Sequence, residues 1–163
     1  MTTVDIVFGT ALLAMLAAIA VIDFRTMAIP DWLNIGLAGS GLGYQAVASK
    51  AFPLGALAFA ILVFASFWLV RYGYRRLRGV VGLGYGDVKM AGASALWFSP
   101  WNLPLFLMAS SVSALVFVLA AQARGGGFQV SAKIPFGPFL GVGLAMTWLL
   151  ERSQFATFVP NGG

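Results

Sequence analysis

Five acidic residues, Asp5, Asp23, Asp31, Asp87 and Glu151, hold nearly all the acid–base chemistry open to this chain. It contains no histidine and no cysteine. That excludes Ser-His-Asp and Cys-His arrangements, thiol nucleophiles, a disulfide framework and most zinc sites. Lys50, Lys89, Lys133, the four tyrosines and the hydroxyl residues are the remaining candidates.

Two acids stand out by their setting. Asp23 closes a long, mostly apolar run, and Asp87 sits in an apolar stretch after the alternating glycines of Gly82-Leu83-Gly84-Tyr85-Gly86. A carboxylate in or near hydrocarbon is expensive, so such residues tend to be functional or paired. Two carboxylates that share a proton split their titrations. The ionised one takes a proton from water, while the protonated one polarises a peptide carbonyl and then helps the nitrogen leave. Each aspartate also has a plainer reading. Asp23 would mark the end of a membrane span, and Asp87 would cap the helix that follows it. Spacing alone does not bring the two together.

The elements that must position these residues follow from composition. Of 163 residues, 60% are hydrophobic and 9% charged, against about 25% charged in soluble domains. Too few charges remain to cover a soluble surface, so lipid is the solvent that fits. The expected fold is an all-α polytopic membrane protein, a single domain over 1–163 with about six transmembrane helices. The spans are expected near 5–22, 34–49, 52–70, 84–98, 103–121 and 135–150. The first reads as a retained span rather than a signal peptide. The second is diluted by glycines, the fourth is interrupted by glycines and Asp87, and the sixth opens with Pro135 and Pro138.

Charge sets the expected topology. Arg25, Arg71, Arg75, Arg76, Arg78, Lys89, Arg124 and Lys133 share one face in the six-span arrangement, leaving Lys50 and Arg152 for the other. The positive-inside rule puts the larger group in the cytoplasm and both termini outside it. Were the second segment not to cross, Arg25 and the Arg71–Arg78 cluster would fall on opposite faces. The +5 net charge is thus a topology signal, and no nucleic-acid partner is expected. Trp97, Trp101 and Trp148 are expected in an outer interfacial belt and Trp32 at the inner face. Irregular backbone around Gly82–Gly86 at membrane depth requires surrounding protein or a water-filled cavity. A catalytic pocket meets that requirement, and so does an ion or solute pathway.

Three blocks resemble the prepilin peptidase family, bacterial membrane aspartyl proteases of the Gly-x-Gly-Asp type. They are Asp23-Phe24-Arg25-Thr26-Met27-Ala28-Ile29-Pro30-Asp31-Trp32-Leu33-Asn34, Gly84-Tyr85-Gly86-Asp87-Val88-Lys89-Met90, and Ile134-Pro135-Phe136-Gly137-Pro138-Phe139-Leu140. The resemblance implies an aspartic-type endopeptidase with Asp23 and Asp87 as the catalytic pair. It would remove the short basic leader of prepilins or pseudopilins at the cytoplasmic face of the bacterial inner membrane. It implies no cofactor and no metal. The partners it implies are the prepilin or pseudopilin substrate, membrane lipids, and pilus or type II secretion assembly proteins. With no cysteine, the chain resembles the short peptidase-only form of tight-adherence or Flp-type pili, without the methyltransferase activity of longer relatives. Archaeal preflagellin peptidases are close cousins. The presenilin and signal-peptide-peptidase branch shares only the Gly-x-Gly-Asp pattern.

Smaller roles surround the pair. Gly84, Tyr85, Gly86, Lys89, Pro135, Gly137 and Pro138 are candidates for shaping the site. Lys89 and Arg25 read equally as interfacial anchors, and the Arg71–Arg78 cluster reads as an anchor on anionic headgroups. Pro30 and Asp31 look like the start of the second helix, so Asp31 is not a catalytic choice. The main rival function is a proton- or cation-coupled transporter with the aspartates as a relay. A non-catalytic assembly subunit is the other.

Overall fold

The computed structural model describes residues 2–49, 52–80, 82–123 and 135–153. Lys50, Arg124, Lys133, Ile134 and the tail after Ser153, all used in the topology and motif arguments, lie outside the described residues. The described fold is all-α, with six helices: α1 (Thr3–Thr26), α2 (Asp31–Ser49), α3 (Leu54–Arg78), α4 (Tyr85–Ser94), α5 (Leu103–Ala123) and α6 (Gly137–Arg152). A 3₁₀ turn at Pro100–Asn102 leads into α5. Among the described residues, three segments are long and apolar enough to cross a bilayer: Thr3–Thr26, Leu54–Arg78 and Pro100–Ala123.

Helix ends follow local chemistry. The Thr2 hydroxyl accepts the Asp5 N–H at 3.2 Å and the Asp5 carboxylate accepts the Thr2 N–H at 2.7 Å, a reciprocal cap on α1. Met27 ends α1 in the left-handed region (φ 54°, ψ 30°), its N–H on the Asp23 carbonyl. This turn sends the chain back so that Ile29 is buried and Pro30 can open α2. The Pro30 carbonyl accepts the Leu33 and Asn34 N–H groups. Gly79, at φ 71°, closes α3, a conformation glycine adopts without a Cβ clash.

α4 is the hub, packed on α2, α3 and α6, while α1 and α5 pack on α6. Every residue from Met90 to Phe98 is buried. At 10 residues, α4 is about 15 Å long, too short to span a hydrocarbon core of about 30 Å. The stretch expected as one element over 84–98 is therefore a short helix followed by a buried turn. That turn carries Trp97, which is fully buried and donates its indole N–H to the Leu37 carbonyl at 2.9 Å. Trp148 is buried too. The expected outer belt is thus corrected for both: they are core residues, stacked on or edge-on to Tyr44. Trp101 and Trp32 are exposed, as an interfacial position requires.

The two ends of the bundle differ in chemistry. One gathers the C-terminal ends of α1 and α3 with the starts of α2, α4 and α6, and holds both Asp23 and Asp87. At the other, the Tyr44 hydroxyl donates to Asp5 at 2.7 Å, and Glu151 accepts from the Ser99 N–H and the Asn102 amide.

Candidate functional site

Asp23 projects from the last turn of α1 and is 4% exposed. The C-terminal end of a helix is a poor place for a negative charge. The start of α6 compensates: the Gly137 N–H donates to Asp23 Oδ2 at 3.0 Å, so an unpaired donor at the positive end of α6 faces the carboxylate. Asp87 lies in the first turn of α4, with its carboxylate close against Gly84 at the helix start. Each carboxylate therefore lies against the start of a helix, α6 for Asp23 and α4 for Asp87. Asp87 stands in the first turn of its own helix, where its plainer reading put it, and no side-chain cap bond is seen there among the described residues. That does not isolate it: Gly86, its chain neighbour, and Gly137, the partner of Asp23, both lie against Ile29.

Ile29 is the wedge that joins the two halves. A Cβ on Gly86 would lie 3.2 Å from Ile29 Cβ, and one on Gly137 would lie 2.8 Å from Ile29 Cδ1 and 2.8 Å from Asp23 Oδ2. A Cβ on Gly84 would lie 2.7 Å from Asp87 Oδ2. Gly84 leaves room for one carboxylate, Gly137 for the other, and Gly86 for the side chain between them. The alternating glycines thus have a steric cause beyond turn formation.

The remaining candidates divide. Tyr85 is exposed, with the Lys89 ammonium 4.8 Å and the Arg71 guanidinium 5.7 Å from its ring centroid. Lys89 turns away from the pair to Asp31, at 2.6 Å. Pro138 is buried in the first turn of α6, where the missing N–H leaves no helical bond unmade. Pro135 is half-buried two residues before α6, without a contact to either aspartate among those described. Arg25 is exposed.

Two participants were not legible beforehand. Ile29 was visible only as part of a motif. Arg71 belonged to a cluster read as headgroup anchors, and the structure separates it from Arg75, Arg76 and Arg78. Those three are exposed, whereas Arg71 is half-buried, donates to the Leu83 carbonyl and acts on the charge of Asp87. Its position one to two turns before the end of α3 is the one signal that distinguishes it. Among the described residues no cluster of acidic side chains has the make-up of a metal site.

Two carboxylates brought within reach of one another can hold one proton between them and activate a water. The model of the type IV leader peptidase family matches residues 10–119, and the chain belongs to that family. It is 33% identical over 136 residues to a prepilin leader peptidase/N-methyltransferase of Burkholderia pseudomallei, covering 83% of this chain and 44% of that protein. An Aeromonas salmonicida protein of the same description is 32% identical over 136 residues, covering 82% and 46%. The leader peptidase HopD of Escherichia coli is 32% identical over 127 residues, covering 77% and 82%. The chain spans under half the length of the first two. No solved structure matches.

Proposed function

We propose that this chain is a membrane aspartyl endopeptidase that removes the leader from a prepilin or pseudopilin, with Asp23 and Asp87 as its acid–base pair. The observation that carries this is that the two aspartates, remote in sequence, lie at one end of the bundle around Ile29, against Gly84 and Gly137. The ionised carboxylate takes a proton from a water, the resulting nucleophile attacks the scissile carbonyl, and the protonated carboxyl stabilises the oxygen and protonates the departing nitrogen. The names of the relatives support prepilin leaders as the substrate class.

The chain lies in the bacterial inner membrane with about six crossings, both termini outside the cytoplasm and the aspartates near the cytoplasmic face. Support comes from the basic residues: Arg25, Arg71, Arg75, Arg76, Arg78 and Lys89 all belong to the end of the bundle that holds the pair. α4 and its buried turn act together as one crossing.

The test is processing of a prepilin by the purified chain in lipid, read by gel mobility and by the new amino terminus. The wild-type chain produces a leader-sized shift; Asp23→Asn and Asp87→Asn, folded by circular dichroism, produce none. Cleavage that persists in one variant removes that aspartate from the mechanism. A folded wild type inactive on several prepilins removes the peptidase reading and favours the proton-relay transporter.

A further inference from the structure

Two of the three membrane-length segments flank an opening. α3 packs chiefly on α4 and α5 on α6, and among the described residues α3 and α5 share at most a marginal contact. Between them runs a groove of about 580 Å³, with Phe67 and Arg71 on the α3 side, Leu107 and Ser111 on the α5 side, and Leu83 and Phe136 at its base. Leu83 precedes Gly84, and Phe136 precedes Gly137, so the groove is rimmed by the chain neighbours of the two glycines that lie against the carboxylates. Its walls are apolar apart from the Ser110 and Ser111 hydroxyls, a tyrosine and Arg71. Ser110 already bonds to the Phe106 carbonyl at 2.7 Å. Arg71 donates to Leu83, and a guanidinium has five N–H donors, so it retains donors for an incoming backbone carbonyl.

We propose that this groove is the lateral entrance for the apolar transmembrane segment of the substrate, which docks between α3 and α5 with its cytoplasmic end at Arg71 and the scissile bond beyond it at the aspartates. This rests on the peptidase reading above and adds the route of entry. An apolar helix already in the bilayer need not leave lipid to reach a site that opens sideways between two lipid-facing helices. The groove receives one face of such a helix, the other face staying in lipid. The second groove, of about 360 Å³ between α2, α3 and α4, is the poorer route. Its base is the middle of α4, at Gly92 and Ala93, and the Lys89–Asp31 ion pair lies on its lining.

The absence of cysteine makes the test direct. Ser111→Cys and Ile61→Cys each introduce one thiol, the first in the proposed entrance and the second in the rival groove. Each variant is mixed in lipid nanodiscs with a prepilin that has one cysteine early in its apolar segment, and a short bis-maleimide is added. A cross-link from position 111 and none from position 61 is the expected result. Cross-linking from 61, from both or from neither overturns the entrance, the last being the outcome if lipid tails alone fill the groove. Ser111→Trp and Ile61→Trp give a second reading at exposed positions. The first raises KM for the prepilin about tenfold with kcat within twofold, and the second changes neither. Equal KM values for wild type and Ser111→Trp overturn the proposal as well. If wild type leaves the prepilin uncut, the peptidase reading fails. If it cuts normally without a cross-link at 111, the entrance alone fails.

Discussion

The backbone N–H of Gly137 donates to the carboxylate of Asp23 at 3.0 Å, across 114 residues of sequence. One contact thus ties the first helix to the last at the point where the proposed chemistry occurs. A methyl group at Gly137 would stand 2.8 Å from both Asp23 Oδ2 and Ile29 Cδ1. One of these must move, and the carboxylate is the freer. Displacing a reacting group by about 1 Å costs about a hundredfold in rate. Gly137→Ala is therefore expected to lower kcat for prepilin processing by about that factor while the helical circular dichroism spectrum is retained. Wild-type turnover in a folded Gly137→Ala protein would show that this contact does not set the position of Asp23.

The alternating glycines give a ranked prediction. A Cβ at position 84 meets the Asp87 carboxylate at 2.7 Å, whereas one at 86 meets Ile29 Cβ at 3.2 Å. The first clash falls on a reacting group and the second on a neighbour able to yield by a few tenths of an ångström. Gly84→Ala is expected to reduce processing more than Gly86→Ala. Measured turnover of the two variants, normalised to folded protein, checks the order. The reverse order would mean that Ile29 is held more rigidly than Asp87.

How far the site could be read in advance follows from which groups have sequence signatures. Asp23 and Asp87 were legible because acids are scarce here and both stand beside apolar runs. Gly137 was legible as a motif glycine, but the identity of its partner was not, since a backbone N–H looks alike at every position. Arg71 was hidden by its company: four arginines within 71–78 read as one anchor until burial separates the first from the rest. Helices were expected in about the right places because long apolar runs at this composition have few other structures. The fourth differs, since periodicity cannot tell a ten-residue helix plus a buried turn from a single span. Trp97 and Trp148 were misplaced for a related reason. A tryptophan near a helix end satisfies an interfacial belt and a buried stack equally well, and only the neighbours Tyr44 and Leu37 decide.

At the other end of the bundle the Tyr44 hydroxyl donates to Asp5 Oδ1 at 2.7 Å, and both residues are buried. Tyr44→Phe keeps the ring stacked on Trp97 and removes only the donor. A buried acceptor left unmatched costs about 1–3 kcal/mol, more when charged. The variant is expected to melt several degrees lower in detergent while processing prepilin at the wild-type rate per folded molecule, because the aspartates lie at the far end. In a double-mutant cycle with Asp5→Asn the two losses should be less than additive, since both act on one bond. Additive losses would show that the hydroxyl is supported by another acceptor.

Two cations flank Tyr85, and the structure assigns them different work. Lys89 pairs with Asp31 at 2.6 Å, the side chains being 30% and 67% exposed. An ion pair that open to solvent contributes about 0–1 kcal/mol. Lys89→Met and Asp31→Asn, alone or together, are therefore expected to leave both thermal stability and processing near wild type. Arg71 holds the Leu83 carbonyl next to Gly84 and acts on the charge of Asp87. Arg71→Met removes both influences at once. It is expected to slow processing by at least tenfold, with little recovery in Arg71→Lys, because a single ammonium does not reproduce the planar, forked donor set of a guanidinium. Parallel rate measurements on the four single variants decide the matter. Equal losses at Lys89 and Arg71 would show that positive charge at this end acts as a general membrane anchor, and a loss confined to Arg71 would show that it acts at the aspartates.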